Sequence, residues 1–283
     1  MRISIIIPFH NEAEHLDTCL KSFVSQSRQP DQLILVNDSS TDDSESIAKH
    51  YVDQYPFISL LSQQSEPTKI PGEKVIRAFN YGMISAAPFD LIGKFDADVL
   101  LPPTYFERCE LAFKSDPRLG IFGGLLHIKL NGTLTYENIS NRQHVRGPIK
   151  LYSKACFEAI NGLLPALGWD SIDTLLAEAR GYRVQTDKTL VVEHLRPTNN
   201  DYLSTSYLVN RGASFYHIGY DVVISGLSAL KMALKKKSLR MFMLLMRGYF
   251  SALLKGKRLV DDQARKDILK MRYKKLFSAL RKG

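Results

Sequence analysis

Leu91-Ile92-Gly93-Lys94-Phe95-Asp96-Ala97-Asp98 is the stretch on which the fold turns. Leu91–Phe95 reads as a short, buried strand, and it runs straight into two carboxylates one residue apart. Side chains two positions apart on an extended chain point to the same side. Asp96 and Asp98 therefore form a pair at the carboxyl end of a strand, able to hold a hard divalent cation through oxygen. A loop capped by two aspartates is the plainer reading of an isolated Asp-x-Asp, so the surrounding sequence has to decide between them.

Upstream, the pattern repeats. Ile3–Ile7 is a continuous, largely β-branched run, followed by His10-Asn11-Glu12; Leu33–Val36 is a second short strand, followed by Asn37-Asp38-Ser39-Ser40-Thr41-Asp42. Helical spacing fills the gaps, with Leu16, Leu20, Phe23 and Val24 inside Asn11–Ser25, then Ser44–Tyr55 and Val75–Ala86. Asn11 is the expected N-cap of the first helix, with Glu12 and Glu14 at its positive end. Strands alternating with helices predict an α/β fold with a doubly wound, mainly parallel sheet. Such sheets bind ligands beyond the carboxyl ends of their strands, where all three polar clusters fall. The later part is less regular: strands at Gly120–Gly124, His127–Leu130 and Leu190–His194, and helices at Lys154–Asn161 and Ser171–Arg180.

Composition narrows the class. The 283 residues are 45% hydrophobic and 24% charged, which excludes a disordered chain, a collagen-like repeat and a multi-span membrane protein. The net charge of +9 is unevenly placed. Residues 225–283 hold 17 basic and 3 acidic side chains, a net of +14, and the remainder is net −5. Cys19, Cys109 and Cys156 are far apart and form no Cys-x-x-Cys pair, which suits a reducing compartment. The opening residues do not read as a signal peptide. No Gly-x-Gly-x-x-Gly follows the first strand and no P-loop occurs, so a nucleotide would be held here through a metal-bound diphosphate.

These segments resemble family-2 glycosyltransferases of the GT-A fold. Ser4-Ile5-Ile6-Ile7-Pro8-Phe9-His10-Asn11-Glu12 is similar to the family's opening strand and turn, and Val36-Asn37-Asp38-Ser39-Ser40-Thr41-Asp42 to its "VDDGSTD" turn, with Asn and Ser replacing Asp and Gly. Ala78-Phe79-Asn80-Tyr81-Gly82 and Lys94-Phe95-Asp96-Ala97-Asp98 follow in the family's order. His144-Val145-Arg146-Gly147, Cys156–Leu163 and Gly168-Trp169-Asp170-Ser171-Ile172-Asp173, then Gly181-Tyr182, resemble its acceptor side.

The resemblance implies inverting transfer of a sugar from a nucleoside diphosphate sugar to an acceptor hydroxyl, in the synthesis of a surface polysaccharide, lipopolysaccharide or related glycan. It implies a divalent metal, Mn²⁺ or Mg²⁺, on Asp96 and Asp98, with His194 of His194-Leu195-Arg196 as a third ligand and Arg196 on the diphosphate. Pro8, His10, Glu12, Asp38, Lys74 and Asp96 match donor-binding positions. Two roles are open to Glu12, donor contact or helix-dipole carboxylate. Arg77 reads as part of a solvated helix face. Asp170 or Asp173 is the expected base, with Asp170 favoured and Asp173 on acceptor hydroxyls; the same residues also suit a helix N-terminus. Trp169 suits either sugar stacking or core packing.

The expected domains are 1–220, GT-A, with a nucleotide-sugar half (1–100) and an acceptor half (101–220), and 221–283, a basic amphipathic helical extension. Within it, Leu239, Phe242, Met243, Met246, Tyr249, Phe250 and Leu253 project to one face, away from Arg240, Arg247 and Arg258. That pattern suits an anionic membrane surface, which predicts a cytoplasmic enzyme peripheral on the membrane and a glycan or lipid-linked glycan acceptor. No nucleic-acid recognition motif accompanies it. Two rivals stand beside this reading: a polyprenyl-phosphate glycosyltransferase, and a catalytically degenerate nucleotide- or glycan-binding module.

Overall fold

The amino-terminal apolar run becomes β1 (Ile3–Phe9), buried at every position, in a computed structural model that describes residues 1–64, 72–198 and 204–281. After it come α1 (Leu16–Val24), β2 (Gln32–Asp38), α2 (Ser44–Gln54), β3 (Ile58–Gln63) and α3 (Glu73–Gly82). β4 (Leu91–Phe95), β5 (Val99–Leu100), α4 (Tyr105–Ser115), β6 (Leu119–Leu130), β7 (Thr133–Tyr136), β8 (Ile149–Ser153) and α5 (Lys154–Ala159) continue the chain. After α6 (Trp169–Ala179) it returns as β9 (Arg183–His194) and ends in α7 (Thr205–His217), α8 (Val222–Lys235), α9 (Leu239–Lys255) and α10 (Asp262–Leu280).

Two compact units result: Met1–Pro165 with Gly181–Pro197, and Ala166–Arg180 with Thr198–Gly283. This division interleaves along the chain, whereas a sequential reading places one boundary near residue 220.

The first unit holds one mixed sheet in the order β3-β2-β1-β4-β8-β6-β9-β5, with β7 added to β6. β3, β2, β1 and β4 run parallel, the doubly wound half read from the sequence. β8 is antiparallel to β4 and β6, and β9 is parallel to β6. β1 lies between two parallel neighbours, which is why it is apolar without alternation. α3 comes close to it: a Cβ on Gly82 would lie 2.8 Å from Ile6 Cγ2 and 2.9 Å from Val36 Cγ2, so only glycine lets that helix seat there. Beneath the end of β4, Phe23, Phe95, Tyr105 and Phe106 form a cluster of mostly edge-to-face ring pairs with centroids 5.5–5.7 Å apart. Cys19, Cys109 and Cys156 are all buried.

Three local expectations are corrected. Asn11 is not a helix cap: its φ is 54°, and its side-chain oxygen accepts from Thr41 N at 2.7 Å, tying the β1 loop to the β2 loop, while α1 begins at Leu16. The two strands expected at Gly120–Gly124 and His127–Leu130 are one strand, β6, whose register slips between Gly123 and Leu125; the diglycine makes an irregularity rather than a break. Finally, α6 is capped by Gly168 at φ 73°, which leaves Asp170 in the first turn rather than at a cap.

The second unit is helical. α7 and α9 touch at backbone distance: a Cβ on Gly248 would sit 1.9 Å from the carbonyl oxygen of Val209. Tyr216 and Tyr249 meet edge-to-face at 6.0 Å. α10 is tied to α6 by Lys275–Glu178 at 2.7 Å, and Tyr273 Oη donates to Asp221 at 2.6 Å. On α9 the apolar face projected from the sequence, expected at a membrane surface, is not the face that packs. Met241, Leu245, Gly248, Tyr249 and Ala252 are buried, so of the projected set only Tyr249 is. The close contact selects small residues, Gly248 and Ala252, and a projection by hydrophobicity overlooks them.

Candidate metal centre and its surroundings

β4 delivers Phe95 to the core and Asp96 to the sheet's edge, where the Asp96 N–H donates to Pro148 O at 3.0 Å. The chain then pairs as β5 with the end of β9, Val99 opposite His194, and Leu195 N donates to Asp98 O at 2.8 Å. That antiparallel register brings His194 to the carboxylate pair across 96 residues of sequence. Asp96, Asp98 and His194 each offer a ligand atom within 4.8 Å of the others.

Two buried side chains behind it fix the imidazole. His194 Nδ1 lies 3.0 Å from Glu137 Oε2, and Arg146 Nη1 donates to the same oxygen. With Nδ1–H committed to Glu137, Nε2 faces Asp98 Oδ1 at 3.5 Å. Glu137 and Arg146 are both buried. Arg146 lies in the His144-Val145-Arg146-Gly147 segment that resembles the family's acceptor side, but Glu137 does not stand out in the sequence, because it follows a short exposed strand and nothing local marks it as inward-facing. Lys94, also buried, pairs with Asp96. Arg196 pairs with Glu12 and lies 3.4 Å from Asp98 Oδ2.

Charges shape each other here. Burial works to lower the His194 pKa, but the Asp98 and Glu137 carboxylates outweigh it and push it up to about 9. Burial works to raise the Asp98 carboxyl; hydrogen bonding to His194, with Arg196 and Lys94 nearby, holds it below the usual range. Glu12 is raised by burial, which Arg196 only partly offsets.

The cluster fits a divalent cation. Two carboxylates and an imidazole form a mixed oxygen and nitrogen set able to hold such a cation, and the imidazole is already oriented from behind. Glu12 Oε2 is buried with no hydrogen-bond partner among the described residues, an acceptor left over beside the cluster.

A second group gathers at the ends of β1 and β2. His10 Nδ1 contacts Asp38 O at 2.6 Å, and Lys74 Nζ lies 3.3 Å from Asp38 Oδ2. Asp38 is buried, and Pro8 sits in β1 opposite Val36. The two departures from the family's turn have local explanations. The Asn37 amide donates to Glu45 at 2.9 Å and its oxygen accepts from Ser40 N, a pairing with Glu45 that a carboxylate could not make. Ser39 has φ 61°, the left-handed region for which the family's glycine is suited, and Ser39 Oγ donates to Gln63 O at 3.1 Å. Arg77 pairs with Glu73 one turn earlier, on a largely exposed side chain.

Asp170 and Asp173 belong to the second unit, on α6. Asp173 is buried and accepts from Thr174 N at 2.5 Å; Asp170 carries the carbonyl that accepts from Thr174 Oγ1 at 3.0 Å. Trp169 is buried.

The model of the family described as "Glycosyl transferase family 2" matches residues 4–163. An uncharacterized glycosyltransferase of Escherichia coli K12, YibD, is 36% identical over 106 residues, which is 38% of this chain and 28% of the relative. The chain thus matches well under half of that relative's length. Among solved structures, the mannosyltransferase PcManGT from Pyrobaculum calidifontis in complex with GDP-Man and Mn²⁺ aligns with a TM-score of 0.58 at 16% identity, covering 99% of this chain and 82% of that one. S. aureus TarS 1-349 in complex with UDP-GlcNAc aligns with a TM-score of 0.59 at 14% identity, covering 80% and 70%. At these identities the likeness is one of fold, and the fold is GT-A.

Proposed function

The chain belongs to glycosyl transferase family 2, and from that premise we propose that it transfers a sugar, with inversion, from a nucleoside diphosphate sugar to an acceptor hydroxyl in the synthesis of a cell-surface glycan. The observation that carries the reading is the Asp96–Asp98–His194 cluster at the carboxyl edge of a GT-A sheet, with Arg196 and a buried, unpartnered Glu12 oxygen beside it. The solved relatives named above hold GDP-Man with Mn²⁺ and UDP-GlcNAc, which supports the same class of donor here.

Asp96, Asp98 and His194 would hold the cation, which supplies positive charge to the diphosphate as it departs. Glu137 keeps the imidazole turned toward that position. Arg196, held in place by Glu12 and Asp98, presents a guanidinium fork to phosphate oxygens. Asp38, with Lys74 against one oxygen and His10 on its backbone, offers a carboxylate to ribose or base N–H groups, and Pro8 shapes the strand end beneath. In a single displacement the acceptor oxygen bonds to the anomeric carbon as the carbon–oxygen bond to the diphosphate breaks, and one carboxylate takes the acceptor's proton. We assign that base to Asp170, with Asp173, one helical turn on, binding acceptor hydroxyls.

The test is to follow transfer and donor hydrolysis separately in Asp170→Asn. Transfer should fall by about 10²–10⁴-fold while metal-dependent hydrolysis of the donor persists. Equal transfer by variant and parent would overturn the base assignment. It would also favour a lipid phosphate acceptor, which needs no such deprotonation.

A further inference from the structure

α8 and α9 each carry an apolar stripe that no described residue covers. On α8, Val223, Leu227, Leu230 and Leu234 follow a spacing of four, three and four and are all exposed, Leu234 by 68%. On α9, Leu239, Met243, Phe250 and Leu254 keep the same helical phase, with Leu239 exposed by 73% and Leu254 by 89%. At 100° per residue this second stripe lies opposite the side of α9 formed by Met241, Leu245, Gly248 and Ala252, which is buried. Of eighteen large hydrophobics exposed among the described residues, eleven lie beyond residue 221. Single exposed leucines are ordinary, whereas repeated stripes on consecutive helices mark an interaction surface.

The charge around the stripes is of one sign. Residues 222–260 contain nine Lys and Arg and no Asp or Glu. The acids that bracket the segment are spent on helix starts: Asp221 accepts from Ile224 N at 2.9 Å and Asp261 from Ala264 N at 2.7 Å. Lys235, which ends α8, and Lys236 and Lys237 after it are all exposed, and no described carboxylate pairs with them. Arg240 and Arg247 line one flank of the α9 stripe, about 80–100° from Leu239.

We propose that the α8–α9 pair is a docking surface for an anionic lipid bilayer, lying in the interface with its leucines, methionine and phenylalanine among the acyl chains and its lysines and arginines at the headgroups. No described helix is long and apolar enough to cross a membrane, so the pair rests on the bilayer instead of spanning it. A second copy of the chain is a poorer occupant, because the like-charged rims would repel. Nucleic acid would meet the lysines but leave the apolar stripes in water. The inference uses none of the donor-site residues, so its failure would leave the glycosyltransferase reading standing, and the converse holds too.

Vesicle flotation of the full chain tests it, with phosphatidylcholine vesicles alone and with phosphatidylglycerol added. The protein should float with the anionic vesicles, much less with the neutral ones, and be released by high salt. Lys235→Gln/Lys236→Gln/Lys237→Gln should weaken binding on the order of 100-fold. Leu234→Asp/Phe250→Asp should weaken it by roughly 100-fold or more, since each side chain loses its apolar transfer. Both variants alter exposed side chains, so circular dichroism melts should match the parent. Absence of flotation with anionic vesicles, parent-like flotation of both variants, or a dimer in light scattering that Leu234→Asp/Phe250→Asp dissolves without vesicle binding would each overturn the proposal.

Discussion

Glu137 shows what a single side chain contributes to this site. One of its oxygens takes both His194 Nδ1 and Arg146, so it orients the imidazole and neutralises a buried guanidinium together. Glu137→Gln should weaken Mn²⁺ binding by about 10–100-fold, the usual effect of losing an outer-shell partner of a ligating histidine; titration calorimetry with Mn²⁺ alone reads it, and unchanged affinity would remove Glu137 from the site. The sequence could not have shown this residue, since its partner lies 57 positions away across an irregular segment. Asp96 and Asp98 stand out because they end a buried apolar strand, whereas His194 and Arg196 enter through the resemblance of His194-Leu195-Arg196 to a family motif; the structure brings all four together. Away from the site, Glu110 makes the pH dependence of stability specific. Hydrogen bonding from Lys114 leads, burial opposes it, and the amino-terminal ammonium and Arg28 add to Lys114, so the carboxyl sits at about 2 against an ordinary 4.5. A depressed folded pKa stabilises the native state above the unfolded value and loses that contribution as pH falls through the folded one. Glu110→Gln should therefore melt lower than the parent at neutral pH, with the gap closing between pH 4.5 and about 2.

Among the elements, the parallel strands were readable and the helix contacts were not. β1, β2 and β4 are apolar because both faces are covered, and a run of that kind announces itself. β9 is longer than its sequence suggests, because its first residues alternate in exposure and look polar in isolation. In α9 the strongest apolar projection lies on exposed side chains while a glycine and an alanine make the contact. That inversion is testable. Gly248→Val places carbon where Val209 O already sits, and should cost about 1–3 kcal/mol or more in urea unfolding. Leu254→Ala, on the exposed stripe, should stay within about 0.5 kcal/mol. Equal effects would mean that α7 and α9 do not meet at Gly248.

Over the whole molecule, the net charge of +9 conceals two opposite parts, a net-negative body and a basic carboxyl-terminal segment. The cluster around Asp98 gathers four carboxylates, Glu12, Asp96, Asp98 and Glu137, against Lys94, Arg146, Arg196 and a histidine. Under the proposed function such a site would meet a polyanionic donor through a cation and a few placed groups, with no general positive field, while the basic surplus lies in the carboxyl-terminal segment. The order of the motifs made the catalytic fold legible from the chain alone. The interleaving of α6 with the carboxyl-terminal helices was not legible, because it depends on packing partners remote in sequence. The proposed function makes Asp96, Asp98 and His194 a metal-dependent site for a nucleoside diphosphate sugar. Thermal shift of the parent and of Asp98→Ala, against a panel of UDP- and GDP-sugars with and without MnCl₂, tests it most directly. At least one donor should raise the parent's melting temperature only when Mn²⁺ is present, and Asp98→Ala should show no such rise; a parent that no donor stabilises, or a variant that responds as the parent does, would contradict it.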